Sequence, residues 1–303
     1  MRVLVTGGSG FVGRHALNAL AAHEVTAPAR NQGTGLHYAL DDQAGLAPML
    51  AAAQPDAILH LAAQASVAAS FLDPLASWRT NLLGSVALAE AALAAAPAAR
   101  FILASSAEVY GLSFQAGTAL DETAAFLPAN PYAASKAAID LATAEMALRG
   151  LRVLRLRLFN MAGPGQSDSF VIASFCRQIA RIEAGLQPPL LRVGALDRWR
   201  DFLDVRDAAR AMALALDAPW SPGTALNIAA GQPRRIGDVL QALLRMARRD
   251  CAVEVEASRM RPTDVERMQG NAARARAVLG WEPVVAWEQT LADTLDDWRS
   301  RVG

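Results

Sequence analysis

A glycine-rich segment directly after the first apolar run constrains the fold of this 303-residue chain more than any other feature. The opening residues RVLVT predict a strand, and Gly7, Gly10 and Gly13 follow it at a spacing that opens a helix. In this pattern the glycines permit a tight turn, a close approach of the backbone to a pyrophosphate, and close packing of helix on strand. Phe11 and Val12 lie in the same helical turn, whose N–H groups can bind phosphate. The segment therefore predicts a dinucleotide site at the start of a βαβ unit.

Short apolar runs and alanine-rich helical segments alternate through the first half of the chain. Such alternation is typical of βαβ units, in which helical crossovers cover both faces of a parallel sheet. The sequence therefore predicts an α/β fold with a doubly wound parallel sheet of the Rossmann type. The predicted strands are residues 2–6, 24–30, 56–63, 100–106 and 152–160, and the predicted helices are residues 11–22, 81–95 and 132–148.

The pattern changes after residue 160. The Gly/Pro loop 163–166 precedes a predicted helix over 170–184, and shorter strands are predicted at 190–194, 225–229 and 253–257. We expect a dinucleotide-binding domain formed by residues 1–160 and about 204–229, and a smaller, interleaved α/β C-terminal substrate lobe formed by about 161–203 and 230–303. A substrate would bind between them, outside the carboxyl ends of the strands.

Charge and hydropathy exclude several classes of partner. The chain carries 29 basic and 29 acidic side chains, so no net charge attracts a nucleic acid or an anionic membrane. Its apolar runs are shorter than the ~18 residues needed to span a bilayer. The first residues form a strand rather than a secretory leader, and the two cysteines form neither a metal motif nor a redox pair. We expect a cytoplasmic protein without a bound metal.

A Tyr-x-x-x-Lys spacing identifies candidate catalytic residues. Tyr132 and Lys136 share one face of a predicted helix, since they are four residues apart. An ammonium group beside a phenol favours phenolate, so Lys136 is expected to lower the pKa of Tyr132, and it can also hold a cofactor ribose. Ser106 ends a predicted strand, where its hydroxyl can bind a substrate carbonyl oxygen. Glu108 follows and would face the same cleft if the extended geometry continued.

The end of the second predicted strand bears on the choice of cofactor. A cofactor with a free ribose 2′-hydroxyl calls for Asp or Glu about twenty residues after the glycine loop. The chain has Arg30 there, which can bind a 2′-phosphate. The sequence therefore favours NADP(H), with NAD(H) as the second option; a solvated surface arginine without this role is the alternative.

Further motifs extend over nearly the whole chain. They are His60-Leu61-Ala62-Ala63, Ser105-Ser106-Ala107-Glu108-Val109-Tyr110-Gly111, Arg157-Leu158-Phe159-Asn160, Arg200-Asp201-Phe202 and Leu279-Gly280-Trp281-Glu282-Pro283. With the glycine loop and the Tyr-x-x-x-Lys pair, their order and spacing resemble the extended short-chain dehydrogenases/reductases that act on nucleotide sugars. Arg192-Val193-Gly194 and Arg261-Pro262-Thr263-Asp264 are similar to the branch of GDP-mannose 4,6-dehydratases and GDP-4-keto-6-deoxymannose reductases.

The resemblance implies roles for individual residues. Tyr132 would be the proton donor, Ser106 would polarise the carbonyl, and Lys136 would hold the cofactor ribose and tune Tyr132. The cofactor would also contact the apolar residues Leu61, Ala62 and Ala63. Polar or charged residues would bind the nucleotide sugar, with Asp264 at the guanosine ribose and Arg192 as a further substrate-binding residue. The residues that would bind the diphosphate are Asn160, Arg200 and Arg261.

Two departures from the family pattern matter. Many relatives contact adenine with the first acid of an Asp-hydrophobic-x-Asp segment, which reads Ala39-Leu40-Asp41-Asp42 here, so the backbone or Asp41 must substitute. The dehydratases carry an arginine-rich insertion after the second strand, and Arg30-Asn31-Gln32-Gly33 is too short for it. The second departure favours the reductase.

The expected function is therefore NADPH-dependent reduction at C4 of a GDP-4-keto-6-deoxyhexose to a GDP-6-deoxyhexose such as GDP-D-rhamnose. The enzymatic alternative is a GDP-mannose 4,6-dehydratase, in which Glu108 would act as base at C5, or another nucleotide-sugar epimerase or dehydratase. A third alternative is a catalytically silent dinucleotide-binding sensor. The resemblance also implies a homodimer, formed as a four-helix bundle by the predicted helices 81–95 and 132–148.

Overall fold

The structure is a computed structural model that describes residues 1–28, 43–259 and 265–302. The strands in these residues are β1 (Arg2–Thr6), β2 (Glu24–Thr26), β3 (Ala57–His60), β4 (Arg100–Ser106), β5 (Val153–Leu158), β6 (Asn160–Ala162), β7 (Leu190–Val193), β8 (Trp199–Asp204), β9 (Thr224–Ile228), β10 (Pro233–Arg235) and β11 (Ala252–Val255).

The α-helices in the same residues are α1 (Phe11–Ala19), α2 (Leu46–Ala53), α3 (Val67–Leu72), α4 (Pro74–Ser77), α5 (Ser85–Ala95), α6 (Pro131–Leu148), α7 (Val171–Glu183), α8 (Val205–Asp217), α9 (Ile236–Met246), α10 (Ala273–Leu279) and α11 (Trp287–Val302). A π-helical turn, Trp78–Gly84, precedes α5, and a 3₁₀-helical segment, Ala107–Ala116, follows β4.

A six-stranded sheet in the order β2-β1-β3-β4-β5-β9 forms the centre of the molecule, and all its neighbouring strands pair in parallel. Helices pack on both of its faces. Val3 and Val5 belong to one apolar core with α8, whereas Leu4 belongs to a second core with α2 and α5, because successive strand residues point to opposite faces. The predicted doubly wound parallel sheet is confirmed.

Several predicted element boundaries need correction. The predicted strand 56–63 is shorter in the structure, where β3 covers Ala57–His60. The predicted strand 152–160 is two strands, since β5 ends at Leu158 and β6 pairs with β8 in a separate sheet. The predicted helix 81–95 begins as the π-helical turn. Helix α6 begins at Pro131, after Asn130 accepts a hydrogen bond from Ala133 N at 2.8 Å as N-cap.

The segments after residue 160 add a smaller layer beside the sheet. Strands β10, β8 and β6 form a three-stranded sheet, and β11 pairs with β7. Helices α7, α9 and α11 contribute a third apolar core that includes Phe175, Leu240 and Trp298. Within the described part of the chain, no helix is long and apolar enough to cross a membrane.

Candidate active site

A cavity of about 570 Å³ opens at the carboxyl ends of the central strands. The glycine loop lines it, together with Ser106, Tyr132 and Lys136. Residues from the segment β6 to β8 also line it. This is where a ligand binds in an open parallel sheet, because the strand ends and helix N-termini there present polar groups.

The glycine loop has the close backbone contacts that its spacing predicts. Gly10 N donates to Gly7 O at 3.0 Å, and Gly7 has a φ of +76°, which favours glycine. A Cβ atom on Gly13 would lie 2.1 Å from Gly7 O, and one on Gly7 would lie 2.6 Å from Ala62 N. Phe11 and Val12 line the cavity beside the three glycines, as do Leu61 and Ala63. Glycine is therefore required here, and the loop forms a cradle that fits a dinucleotide.

A buried histidine links the strands beneath this cradle. His60 Nδ1 lies 2.6 Å from Thr6 Oγ1, and His60 Nε2 lies 2.8 Å from Ser85 Oγ. Burial, together with the charge of Lys136, lowers the pKa of His60 to about 3. His60 is therefore neutral and ties β1, β3 and α5 together below the cofactor loop.

Ser106 is buried at the end of β4, and Tyr132 and Lys136 are buried at the start of α6. Lys136 Nζ donates to Ala104 O at 2.9 Å. Burial raises the pKa of Tyr132 to about 12, an effect that the hydrogen bond with Ser106 opposes and the charge of Glu108 reinforces. Burial also lowers the pKa of Lys136 to about 8. The expected lowering of the Tyr132 pKa by Lys136 is thus wrong, because desolvation dominates the phenol.

Glu108 reaches the cavity by a different path from the one expected. The extended geometry ends at Ser106, whose Oγ accepts a hydrogen bond from Glu108 N at 3.2 Å as the chain turns into the 3₁₀-helical segment. The strand therefore does not continue to Glu108, and the condition on which its predicted orientation depended is not met. The Glu108 side chain nevertheless lines the cavity, where Asn130 Nδ2 donates to its Oε2 at 3.3 Å.

The predicted nucleotide-sugar residues are only partly within the described structure. Asn160, Arg192 and Arg200 line the cavity. Arg200 is buried and donates to Trp199 O at 2.8 Å, whereas Arg192 is exposed and pairs with Glu256 at 3.0 Å. Four other predicted site residues lie outside the described residues: Arg30, Asp41, Arg261 and Asp264.

Sequence reasoning missed several polar residues of the cavity, among them Arg259 and Gln166. Arg259 Nε lies 2.6 Å from Glu256 Oε2, so Glu256 pairs with two arginines at the cavity wall. Its closeness to the Arg-Pro-Thr-Asp motif was the available signal. Gln166 is buried and donates through Nε2 to Met161 O at 2.7 Å. Within the described ranges, no cluster of His, Cys, Asp and Glu is arranged to hold a metal ion.

The loop that carries Gln166 connects the two sides of the cavity. His15 Nε2 lies 2.8 Å from Pro164 O, and Arg14 donates to Gly165 O at 3.0 Å, both from α1. From α11, Asp297 Oδ2 accepts a hydrogen bond from Gly165 N at 2.9 Å. The loop is therefore held by a helix of the cofactor side and a helix of the smaller layer.

Comparison with known proteins places this architecture in a family. The family model for GDP-mannose 4,6-dehydratase matches residues 23–294. The chain belongs to this family. Its relatives include a GDP-6-deoxy-D-mannose reductase from Pseudomonas aeruginosa, 39% identical over 99% of this chain and 98% of the relative. GDP-mannose 4,6 dehydratase 2 from Arabidopsis thaliana is 31% identical over 86% of this chain and 71% of the relative.

Solved structures of relatives have the same fold. A structure described as RMD from Pseudomonas aeruginosa complexed with NADPH has a TM-score of 0.89 and 36% identity, covering 100% of both chains. A Thermus thermophilus UDP-glucose 4-epimerase complexed with NAD has a TM-score of 0.86 and 30% identity, covering 99% of both chains. The predicted resemblance to nucleotide-sugar enzymes of the extended short-chain dehydrogenase/reductase type is confirmed.

Proposed function

We propose that this member of the family reduces C4 of a GDP-4-keto-6-deoxyhexose with NADPH and yields a GDP-6-deoxyhexose. The observation that carries the proposal is the 39% identity to a GDP-6-deoxy-D-mannose reductase over nearly the full length of both proteins. The cavity supports it, because Ser106, Tyr132 and Lys136 lie beside the glycine loop.

The cofactor would lie along the glycine loop. Gly7, Gly10 and Gly13 allow a pyrophosphate to approach the backbone, and Leu61 and Ala63 line the same wall. When bound, NADPH supplies the hydride that reduces C4. Lys136 would donate to a ribose hydroxyl, since its ammonium group is buried at this wall and already donates to Ala104 O.

Tyr132 and Ser106 would act on the carbonyl oxygen of the sugar. With a pKa of about 12, Tyr132 is protonated at neutral pH and can give its proton to the oxygen as negative charge develops there. Ser106 would hydrogen bond to the same oxygen and stabilise that charge. Both side chains are buried, so little water competes for these contacts.

Cationic side chains that line the same cavity would bind the diphosphate. Arg192, Arg200 and Arg259 line the cavity, and guanidinium groups bind phosphate oxygens in bidentate fashion. Glu256 pairs with both Arg192 and Arg259, which keeps the two guanidinium groups at one place on the wall. Arg261 and Asp264 are proposed for the diphosphate and the guanosine ribose from the sequence motif alone.

The second candidate function is GDP-mannose 4,6-dehydratase. The observation that favours it is Glu108, which lines the cavity close enough to Tyr132 for its charge to raise the pKa of the phenol. In that position it could take the C5 proton of a sugar. The short segment after the second strand argues against this reaction.

Product analysis separates the two functions. We expect GDP-4-keto-6-deoxymannose to consume NADPH stoichiometrically, GDP-mannose to stay unchanged, and Glu108→Gln to keep substantial activity. Conversion of GDP-mannose to its 4-keto-6-deoxy derivative without net cofactor consumption, abolished in Glu108→Gln, would establish the dehydratase instead. Tight NADPH binding without turnover of either sugar would point to the sensor.

Competition by free nucleotides tests which nucleobase the substrate site recognises. GDP should inhibit the reduction at a lower concentration than UDP or dTDP. Stronger inhibition by UDP would indicate that the substrate is a UDP-sugar. It would not change the assignment of the fold or of the catalytic residues.

We also infer that the enzyme is a homodimer. The π-helical turn Trp78–Gly84 and α5 pack beside α6, and Leu83 and Leu141 on these elements are 55% and 59% exposed. Two copies of this pair of helices would cover those side chains as a four-helix bundle.

The two cysteines are unpaired, which suits a reducing compartment, and we propose the cytoplasm as the place of the reaction. We retain the predicted division into domains as part of the proposal.

A further inference from the structure

A buried carboxylate lies on α6 one turn after Lys136 and has no role in the proposed reaction. Asp140 is 0% exposed. Its Oδ1 accepts hydrogen bonds from Arg155 Nη1 at 2.6 Å and Arg157 Nη2 at 3.1 Å. Its Oδ2 accepts from Ser105 Oγ at 2.6 Å and Arg157 Nε at 3.2 Å. A buried charge with this many partners is fixed in place.

These bonds join α6 to the end of β4 at two successive helical turns. Lys136 Nζ donates to Ala104 O, and one turn later Asp140 accepts from Ser105. Ser105 immediately precedes Ser106, so the position of α6 along β4 also sets where Lys136 stands relative to the Ser106 hydroxyl. Arg155 and Arg157 come from β5, in register with Leu103 and Ser105 of β4.

We propose that Asp140 is a positioning residue that keeps Lys136 protonated and holds it against the end of β4. This inference rests on the proposed function, because it assigns Asp140 a role only through Lys136. Asp140 itself does not line the cavity, so it acts on the reaction through neighbours that do.

The charges around Lys136 support this role. Burial lowers the pKa of Lys136, and the Asp140 carboxylate opposes that effect. From β3, His60 faces Lys136 and is neutral. On α6 itself, Tyr132 is protonated. From β5, Arg155 and Arg157 pair with Asp140, so neutralising that carboxylate would leave two buried positive charges without their partner and favour the neutral amine.

The sequence offers an unusually direct measurement. Lys136 is the only lysine of the chain, so lysine labelled with ¹³C at Cε gives a single side-chain signal. Titrating that signal in the cofactor-free protein reports the Lys136 pKa without substrate, and the result holds whether or not the chain reduces a GDP-sugar. We expect Asp140→Asn to lower this pKa by about one unit or more. The rate of reduction should then begin to fall at a correspondingly lower pH.

Controls separate this role from a general loss of stability. Asp204→Asn removes another buried, ion-paired carboxylate, one that binds Arg206 and Thr290, and should leave the Lys136 titration unchanged. Asp140→Glu, which keeps the charge, should restore most of the Lys136 pKa. If Asp140→Asn does not fold, Asp140→Asn combined with Arg155→Gln removes both members of the Asp140–Arg155 pair, leaves one unpaired arginine rather than two, and should still lower the Lys136 pKa. An unchanged Lys136 titration in a folded variant would overturn the proposal.

Discussion

Tyr132 is the residue on which the proposed chemistry depends most. We expect Tyr132→Phe to lower kcat by about 10²–10⁴-fold, because the ring still packs but has no proton to give. The Kd for NADPH, measured by fluorescence, should stay close to that of the wild type. Tyr110→Phe is a matched control, since Tyr110 is also buried and its hydroxyl donates to Asn227 Oδ1 at 2.7 Å. That variant should lose stability and keep kcat. Wild-type turnover in Tyr132→Phe would reject the assignment.

At the same scale, the role of Arg30 in the choice of cofactor stays a prediction, because Arg30 lies outside the described residues. We expect Arg30→Ala to weaken NADPH roughly tenfold to a hundredfold and NADH far less, since a charged hydrogen bond to the 2′-phosphate is lost. Dissociation constants for both cofactors test this. Arg274→Ala, which removes an exposed arginine elsewhere, should change neither. Equal losses for NADPH and NADH would show that Arg30 does not bind the 2′-phosphate.

At the scale of elements, the glycine loop and α1 must pack as one unit for the cofactor to bind. A methyl group on Gly13 would lie 2.1 Å from Gly7 O, so Gly13→Ala should displace α1. Overpacking of this kind costs about 1–3 kcal/mol, and we expect a lower Tm together with NADPH binding weakened at least tenfold. Gly117→Ala meets no atom within 4 Å but has a φ of +73°. Gly117→Ala should lower the Tm and leave NADPH affinity intact. Normal NADPH affinity in Gly13→Ala would contradict the proposal that the glycine loop binds the cofactor.

At the scale of the whole molecule, the outer face of α6 would contact the second copy in the proposed dimer. A glutamate in place of Leu141, which is 59% exposed, would put a charge inside the proposed four-helix bundle. We expect Leu141→Glu to sediment as a monomer where the wild type sediments as a dimer. Leu186→Glu changes a leucine that is 55% exposed and follows α7, so it should leave the wild-type state unchanged. If the wild-type protein sediments as a monomer, the proposed four-helix-bundle dimer is wrong.

The features that could be predicted from the sequence act over short distances along the chain. Gly7, Gly10 and Gly13 work through backbone conformation and one close approach, and Tyr132 and Lys136 work through one helical turn. Apolar runs long enough for buried strands, separated by helical segments, predicted the parallel sheet in the same way. The resemblance to nucleotide-sugar enzymes followed from these motifs and their order.

The electrostatics of the site and the residues that line the cavity depend on the folded arrangement of distant segments. The pKa of Tyr132 is raised because the folded protein buries the phenol, and the neighbouring Lys136 does not reverse this. Glu108 enters the cavity through a 3₁₀-helical turn, and Arg259 joins Arg192 through a shared partner. Asp140 meets partners that lie 35, 15 and 17 residues away in the sequence. Burial and ion pairing depend on contacts between distant segments, and a local residue pattern does not encode them.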